Sequence, residues 1–288
     1  MLDYRLSAVP GQYEIRQYCR PPAVYLDHWA FRRLSEKPEL RQALASAIAD
    51  RDGTLVVGRL NLLEFTRVAC RTQLQDAERL VQDVLPRVFF LDIQIMDVVN
   101  RENTRGFGAC GDMQMLEYYG KPMLDDFQQW RAIRLFDILD SKRDAYRAGF
   151  DLIERKVLDA LYEYSTVDRR TIREGLAEAQ RRPRATLTLA RALVDEIFRD
   201  KRRTLDPGDA SDMMHTVVPC AYCEYVLIDS EWCDYVERVR RRLTGRQHIA
   251  AVYSWKGDGL QRFLEALRAH PKDQRGAPDW PAPQGALG

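Results

Sequence analysis

The chain has 288 residues, 45% of them hydrophobic, and a formal net charge of +1. This composition suits a globular protein and excludes a chain-wide field for polyanions, so any nucleic-acid contact must be a local patch. No run reaches the roughly 18 apolar residues a spanning helix needs. Met1-Leu2-Asp3-Tyr4-Arg5 also lacks the basic-then-apolar order of a secretory signal, so the expectation is a soluble cytoplasmic protein.

Residues 1–22 read as an irregular arm that ends at Pro21-Pro22. Ala23–Leu26 is a first strand, closed by Asp27. Ser35 is a candidate N-cap and Pro38 fits a first helical turn; Leu40, Ala43, Leu44, Ala47 and Ile48 follow at helical spacing. After Asp52-Gly53, Thr54–Gly58 is a second strand, too apolar to be half-exposed and therefore central in a parallel sheet. A helix with Glu64 follows, then a helix over about Gln73–Leu85, and Val88–Asp92 reads as a third strand or a buried helix start. Strands alternating with helices at this spacing predict an α/β fold with a mostly parallel sheet.

The alternation breaks between residues 101 and 203. Phe150, Ile153, Val157, Leu158, Leu161 and Tyr162 form one apolar face at helical spacing, and Leu187, Ala190, Leu193, Val194 and Ile197 form another. This stretch is read as an inserted all-helical subdomain between two core parts, 23–100 and 204–270. The α/β pattern then resumes, with Asp209 as the expected N-cap and Asp212 as N3 of a helix running through His215. Tyr225–Asp229 is again a strand ending in an acid, Trp232–Leu243 a helix, Ile249–Tyr253 a last strand and Leu260–Leu267 a last helix. Residues 271–288 are Pro/Gly-rich and read as a disordered tail.

Of six cysteines, Cys220 and Cys223 have C-x-x-C spacing. No second pair completes a zinc site, and the motif precedes a strand rather than opening a helix after one, so two buried small side chains are the favoured reading.

The acids carry the chemistry. Asp27 and Asp229 end two buried strands, and in an open parallel sheet functional groups collect outside the carboxyl ends. Glu64 lies one turn into its helix and Asp212 in a first turn aimed at the same edge. Ionised carboxylates gathered in one cleft repel each other unless a cation neutralises them, and an all-oxygen donor set selects Mg²⁺ or Mn²⁺ over zinc. Asp209 competes with Asp212 as a ligand, although a helix cap is its simpler use. His28 either touches a phosphate or the attacking water, or is simply packed. Residues Arg169–Arg203 hold eleven basic against five acidic side chains, with Arg199, Arg202 and Arg203 nearest the acidic edge. Such a basic wall would hold a phosphate backbone. A salt-bridged helix face is the plainer use of such a run, and also of Arg238–Arg242. Trp29, Tyr118, Tyr119 and Trp130 are candidates for stacking on bases.

The order of Val24-Tyr25-Leu26-Asp27, Leu55–Glu64, Asp209-Ala210-Ser211-Asp212-Met213-Met214-His215 and Val226-Leu227-Ile228-Asp229 resembles the PIN-like nuclease superfamily. The resemblance covers roughly residues 22–100 and 204–270. It implies a three-layer α/β/α fold and a pocket of Asp27, Glu64 and Asp212, with Asp229 as a more variable fourth acid, that binds Mg²⁺ or Mn²⁺. It also implies hydrolysis of RNA phosphodiesters by an activated water, and a homodimer as a common assembly. The alternative is an inactive module of the same fold that binds RNA or a regulatory protein. A phosphatase-like reading needs a nucleophilic Asp with a Lys near a strand end, and no Lys is read beside Asp27 or Asp229.

Overall fold

The computed structural model describes residues 1–6, 13–67, 70–105, 110–124, 128–132, 143–167, 174, 185–199, 203–243 and 248–272. The tail, Arg202 and the basic run from Arg169 to Arg184 lie outside the described residues.

The centre is a five-stranded parallel sheet. Its strands are β3 (Ala23–Leu26), β4 (Thr54–Gly58), β5 (Val88–Leu91), β6 (Tyr225–Leu227) and β7 (Ala251–Tyr253), in the order β5-β4-β3-β6-β7. All residues of β3, β4 and β5 are buried, as expected where helices cover both faces of a parallel sheet. Side chains alternate between faces. Tyr25, Val56, Phe89 and Val226 enter one apolar cluster, while Val24, Leu26, Leu55, Val57, Phe90 and Leu227 enter the other. The expected central place of Thr54–Gly58 is observed, with β4 paired to both β3 and β5. Val88–Leu91 is a strand, not a helix start.

The second cluster is closed by α1 (His28–Glu36), α2 (Pro38–Asp50), α4 (Arg71–Val84) and α10 (Gly259–Ala269). The first takes α5 (Ile95–Arg105), α6 (Arg143–Ser165), α7 (Ala185–Ile197), α8 (Pro207–Tyr222) and α9 (Ser230–Arg242), with Leu60 and Leu63 of α3 (Arg59–Glu64). Phe150 and Leu161 of α6 and Leu189 and Leu193 of α7 share this core with the sheet. On the expected face of α6, Tyr162 is instead exposed, its hydroxyl donating to the Leu205 carbonyl at 2.7 Å.

Three local expectations need correction. The arm at 1–22 is not irregular throughout: β1 (Leu2–Leu6) and β2 (Tyr13–Gln17) pair antiparallel, and Leu2 is buried in the sheet's own core. Ser35 does not open α2; it lies in the last turn of α1, and Lys37 precedes Pro38 at N1. The cap of α8 is Asp206 rather than Asp209, because Pro207 is fit for N1 and fixes the start three residues earlier.

Cys220 and Cys223 are fully buried free thiols, and burial pushes both well above the usual thiol range. Among the described residues no helix is long and apolar enough to cross a membrane.

Candidate active site

From β3 the chain steps one way to β4 and β5, and the other way to β6 and β7. The reversal places the crevice of an open α/β sheet outside the carboxyl ends of β3 and β6. Asp27 follows β3 directly and Asp229 lies two residues past the end of β6. The Asp27 N–H donates to the Leu227 carbonyl at 2.9 Å, which ties the two strand ends together.

Asp27 is the N-cap of α1, its Oδ1 accepting from the Ala30 N–H at 2.6 Å. Asp229 caps α9 in the same way, accepting from the Glu231 N–H at 2.8 Å. Glu64 is brought in by Asn61, which is fully buried. The Asn61 amide donates to the Leu26 carbonyl at 2.8 Å and its oxygen accepts from the Gly58 N–H at 2.8 Å. Asn61 thereby pins α3 against the ends of β3 and β4, with Glu64 one turn on. Asp212 comes from the second turn of α8, and His215, one turn later, shares its face.

His215 is the hub. Its Nε2 lies 2.9 Å from Glu64 Oε2 and its Nδ1 2.5 Å from the Tyr25 hydroxyl. Burial alone would disfavour the charged ring, but Glu64, Asp27 and Asp212 together raise its pKa above the ordinary histidine value. In that form both ring nitrogens donate. Burial opposes ionisation of Glu64, but the charge and hydrogen bond of His215 outweigh it and hold the carboxyl below its usual range. Asp27 and Asp212 end differently. Burial, with repulsion from Glu64 and Asp229 and, for Asp212, also from Asp27, raises each to about 7 against the pull of His215. Acidic side chains thus outnumber the one histidine bonded to Glu64, which leaves an excess of negative charge when they ionise.

His28 sits beside this group, its Nδ1 3.8 Å from Glu64 Oε2 and its ring edge-on to Phe65 at 4.4 Å. Burial lowers its pKa, which favours the neutral ring. Asp209 is used elsewhere: it completes the capping box of α8, accepting from the Asp206 N–H at 2.9 Å, and pairs with Arg203. Arg203 is also held by Glu231 and Tyr235, and Arg199 pairs with Glu196 at 3.3 Å. Arg238 and Arg242 pair with Glu196 and Asp195 of α7, at 2.7 and 2.8 Å. These guanidinium groups serve the salt-bridged surface that was the plainer reading of such runs. A third strand-end acid, Asp92 after β5, lies away from the reversal and is held by Arg101 at 2.6 Å.

The donor set suits a hard divalent cation in chemistry and charge: carboxylate oxygens, in excess, two of them with protonation displaced upward by burial and then by neighbouring acids. Among the described residues, however, no three His, Cys, Asp or Glu side chains meet in an arrangement that could hold a metal ion. Oδ1 of Asp27, Oε2 of Glu64 and Oδ1 of Asp229 are each taken by a protein donor, and the second oxygen of each is not used by these bonds.

The acidic group is braced from α6. Buried Glu154 accepts from Ser211, the neighbour of Asp212, and from Arg67, three residues past Glu64; its second contact to Arg67 is at 3.1 Å. Glu154→Gln keeps the size and removes the charge. It is expected to cost about 1.5 kcal/mol in urea unfolding, since hydrogen bonds to charged groups are worth about 1.5–3 kcal/mol and Arg67 is partly solvated. An unchanged midpoint would remove Glu154 as a brace.

Sequence reasoning had placed Asp27, Glu64, Asp212 and Asp229 at one edge. The sequence alone assigns no role to His215, Asn61, Tyr25 or Glu154. The i, i+3 spacing of Asp212 and His215 was the available signal for the histidine. The chain matches no protein-family profile, and no curated protein or solved structure matches it.

Proposed function

We propose that this chain is a PIN-like, metal-dependent nuclease of three-layer α/β/α architecture, acting as an endoribonuclease on single-stranded RNA. What supports the reading is that Asp27 and Asp229 follow the two strands at the reversal, that Glu64 is bonded to His215 one turn from Asp212, and that Asp27 and Asp212 are both raised to about 7. These four side chains would hold Mg²⁺ or Mn²⁺. When bound, such an ion polarises a phosphodiester and makes a water nucleophilic near neutral pH.

The protein's own residues supply the rest. Asn61 and the Asp27 cap fix the bases of α3 and α1, so that Glu64 and Asp27 are set by backbone hydrogen bonds rather than by loop conformation. His215 orients Glu64 and offsets part of the negative charge. The His28 ring, whose neutral form burial favours, does not compete for a phosphate as a fixed cation would.

The test is cleavage of a labelled single-stranded RNA with Mn²⁺, with EDTA, and by Asp27→Asn. Cleavage by the wild type with Mn²⁺ alone is expected; equal cleavage by wild type and variant would sink the assignment. A second reading, a non-catalytic module of the same fold, is favoured by one observation: His215 already sits among the acids as an internal counter-ion. That reading expects no response of stability to Mn²⁺.

A further inference from the structure

We propose that Trp29 and Trp255 form a stacking platform for a base of the single strand, flanked by Arg33 and Lys256 as phosphate contacts. The proposal rests on the nuclease reading and names how its substrate is held.

Trp29 lies in the first turn of α1, two residues past Asp27, and Trp255 lies two residues past the end of β7. Both are therefore at the carboxyl edge of the sheet, on the side of α1 and α10. Their rings meet edge to face, with centroids 5.2 Å apart and planes at 86°. Trp29 is 40% exposed, a high value for an indole beside a buried acid. An exposed aromatic pair alone would name no occupant. The charges beside it do.

Nearly all the arginines around the site are ion-paired: Arg32 with Glu36 at 3.4 Å, Arg67 with Asp151 at 2.8 Å, Arg203 with Asp209. Arg33 stacks its guanidinium over Trp29, 4.8 Å from the ring centroid, and has no carboxylate partner among the described residues. Lys256, next to Trp255, is exposed and also lacks an acidic partner there. Two uncompensated cations around two indoles, at the edge where four acids gather, match a chain that alternates flat bases with phosphates. An apolar protein partner would leave both cations unpaired, and an acidic segment would bring no flat ring to the exposed indole.

The presenting turn is closely fitted. Gly257 takes φ +62°, and a Cβ on Gly259 would lie 2.0 Å from the Ser254 carbonyl oxygen. The Gly259 N–H donates to the Lys256 carbonyl at 3.1 Å. Trp255 is thus offered by a turn with little freedom, and ordering it on binding costs little.

The test measures binding of a fluorescent ten-nucleotide oligouridine in EDTA, where metal-dependent cleavage is off. Trp29→Ala and Trp255→Ala are each expected to weaken binding about tenfold, within the range known for base–aromatic stacking. Trp29→Phe should restore most of it. An oligonucleotide with one abasic site, moved along the strand, should at one position bind the wild type as weakly as the intact strand binds Trp29→Ala, and the two losses should not add. Lys256→Ala should flatten the salt dependence, which the Trp variants leave unchanged. Wild-type affinity in folded Trp variants overturns the proposal, as does an absence of wild-type binding. So does a change in sedimentation without a change in RNA affinity, which would assign the indoles to a second copy of the chain. The nuclease reading fails separately, through absence of Mn²⁺-dependent cleavage by the wild type, whatever the platform does.

Discussion

Asp212→Asn is expected to be more stable than the wild type at pH 8 in EDTA, by about 2 kcal/mol, and to lose Mn²⁺-dependent cleavage on the order of 10³-fold. Both effects come from one source. Asp212 and Asp27 are raised from 3.8 to about 7, because burial and the neighbouring acids disfavour their charged forms. The folded protein therefore holds protons that the unfolded chain releases. That contribution to stability is fully present below pH 3.8 and is lost as pH rises through about 7. At pH 8 both acids are forced to ionise in the folded state. A carboxamide of the same shape removes that cost. At about 1.4 kcal/mol per unit the full shift would be worth about 4 kcal/mol, and the partial exposure of Asp212 reduces it to the figure given. The advantage of the variant should shrink as pH falls and vanish near pH 4, a profile that thermal unfolding at several pH values reads directly. The same repulsion should make the wild type gain stability from Mn²⁺ at pH 8, about 2.7 kcal/mol at a hundredfold excess over Kd. Little gain is expected at pH 5.5, where protons occupy Asp27 and Asp212. A pH-independent difference between Asp212→Asn and wild type would contradict the shared cluster.

His215→Ala is expected to cost about 3 kcal/mol. Among the described residues the histidine is the only basic side chain within hydrogen-bonding distance of Glu64, and removing one member of a buried pair leaves the other unpaired. The loss includes the hydrogen bond to Tyr25. Mn²⁺ at pH 8 should recover more stability in this variant than in the wild type, because the acids it neutralises have lost their internal counter-charge. Denaturant unfolding with and without Mn²⁺ measures both. A cost below about 1 kcal/mol would mean that His215 is merely packed.

The sheet and its acids were legible because period and burial are local properties of a strand. Ala23–Leu26 and Thr54–Gly58 are apolar throughout, and a carboxylate after such a run has few innocent places to go. The pairing of Leu2–Leu6 with Tyr13–Gln17 was not legible, since these strands carry as many polar as apolar residues. The cap of α8 was misplaced by three residues because Asp206 and Asp209 both satisfy a capping pattern, and only Pro207 between them decides. The fate of the arginines was beyond reach for a different reason. Arg238 and Arg242 meet Asp195 and Glu196 across more than forty positions, so a charge count sees a patch where the fold makes ion pairs. His215 and Asn61 needed three elements to meet before either had a role.

The most direct measurement is anomalous diffraction from crystals soaked in Mn²⁺ at pH 8. The account predicts Mn²⁺ bound by oxygens of Asp27, Glu64, Asp212 and Asp229, with no comparable peak in crystals of Asp212→Asn. Mn²⁺ found only elsewhere, or none with the His215–Glu64 contact unchanged, would contradict it.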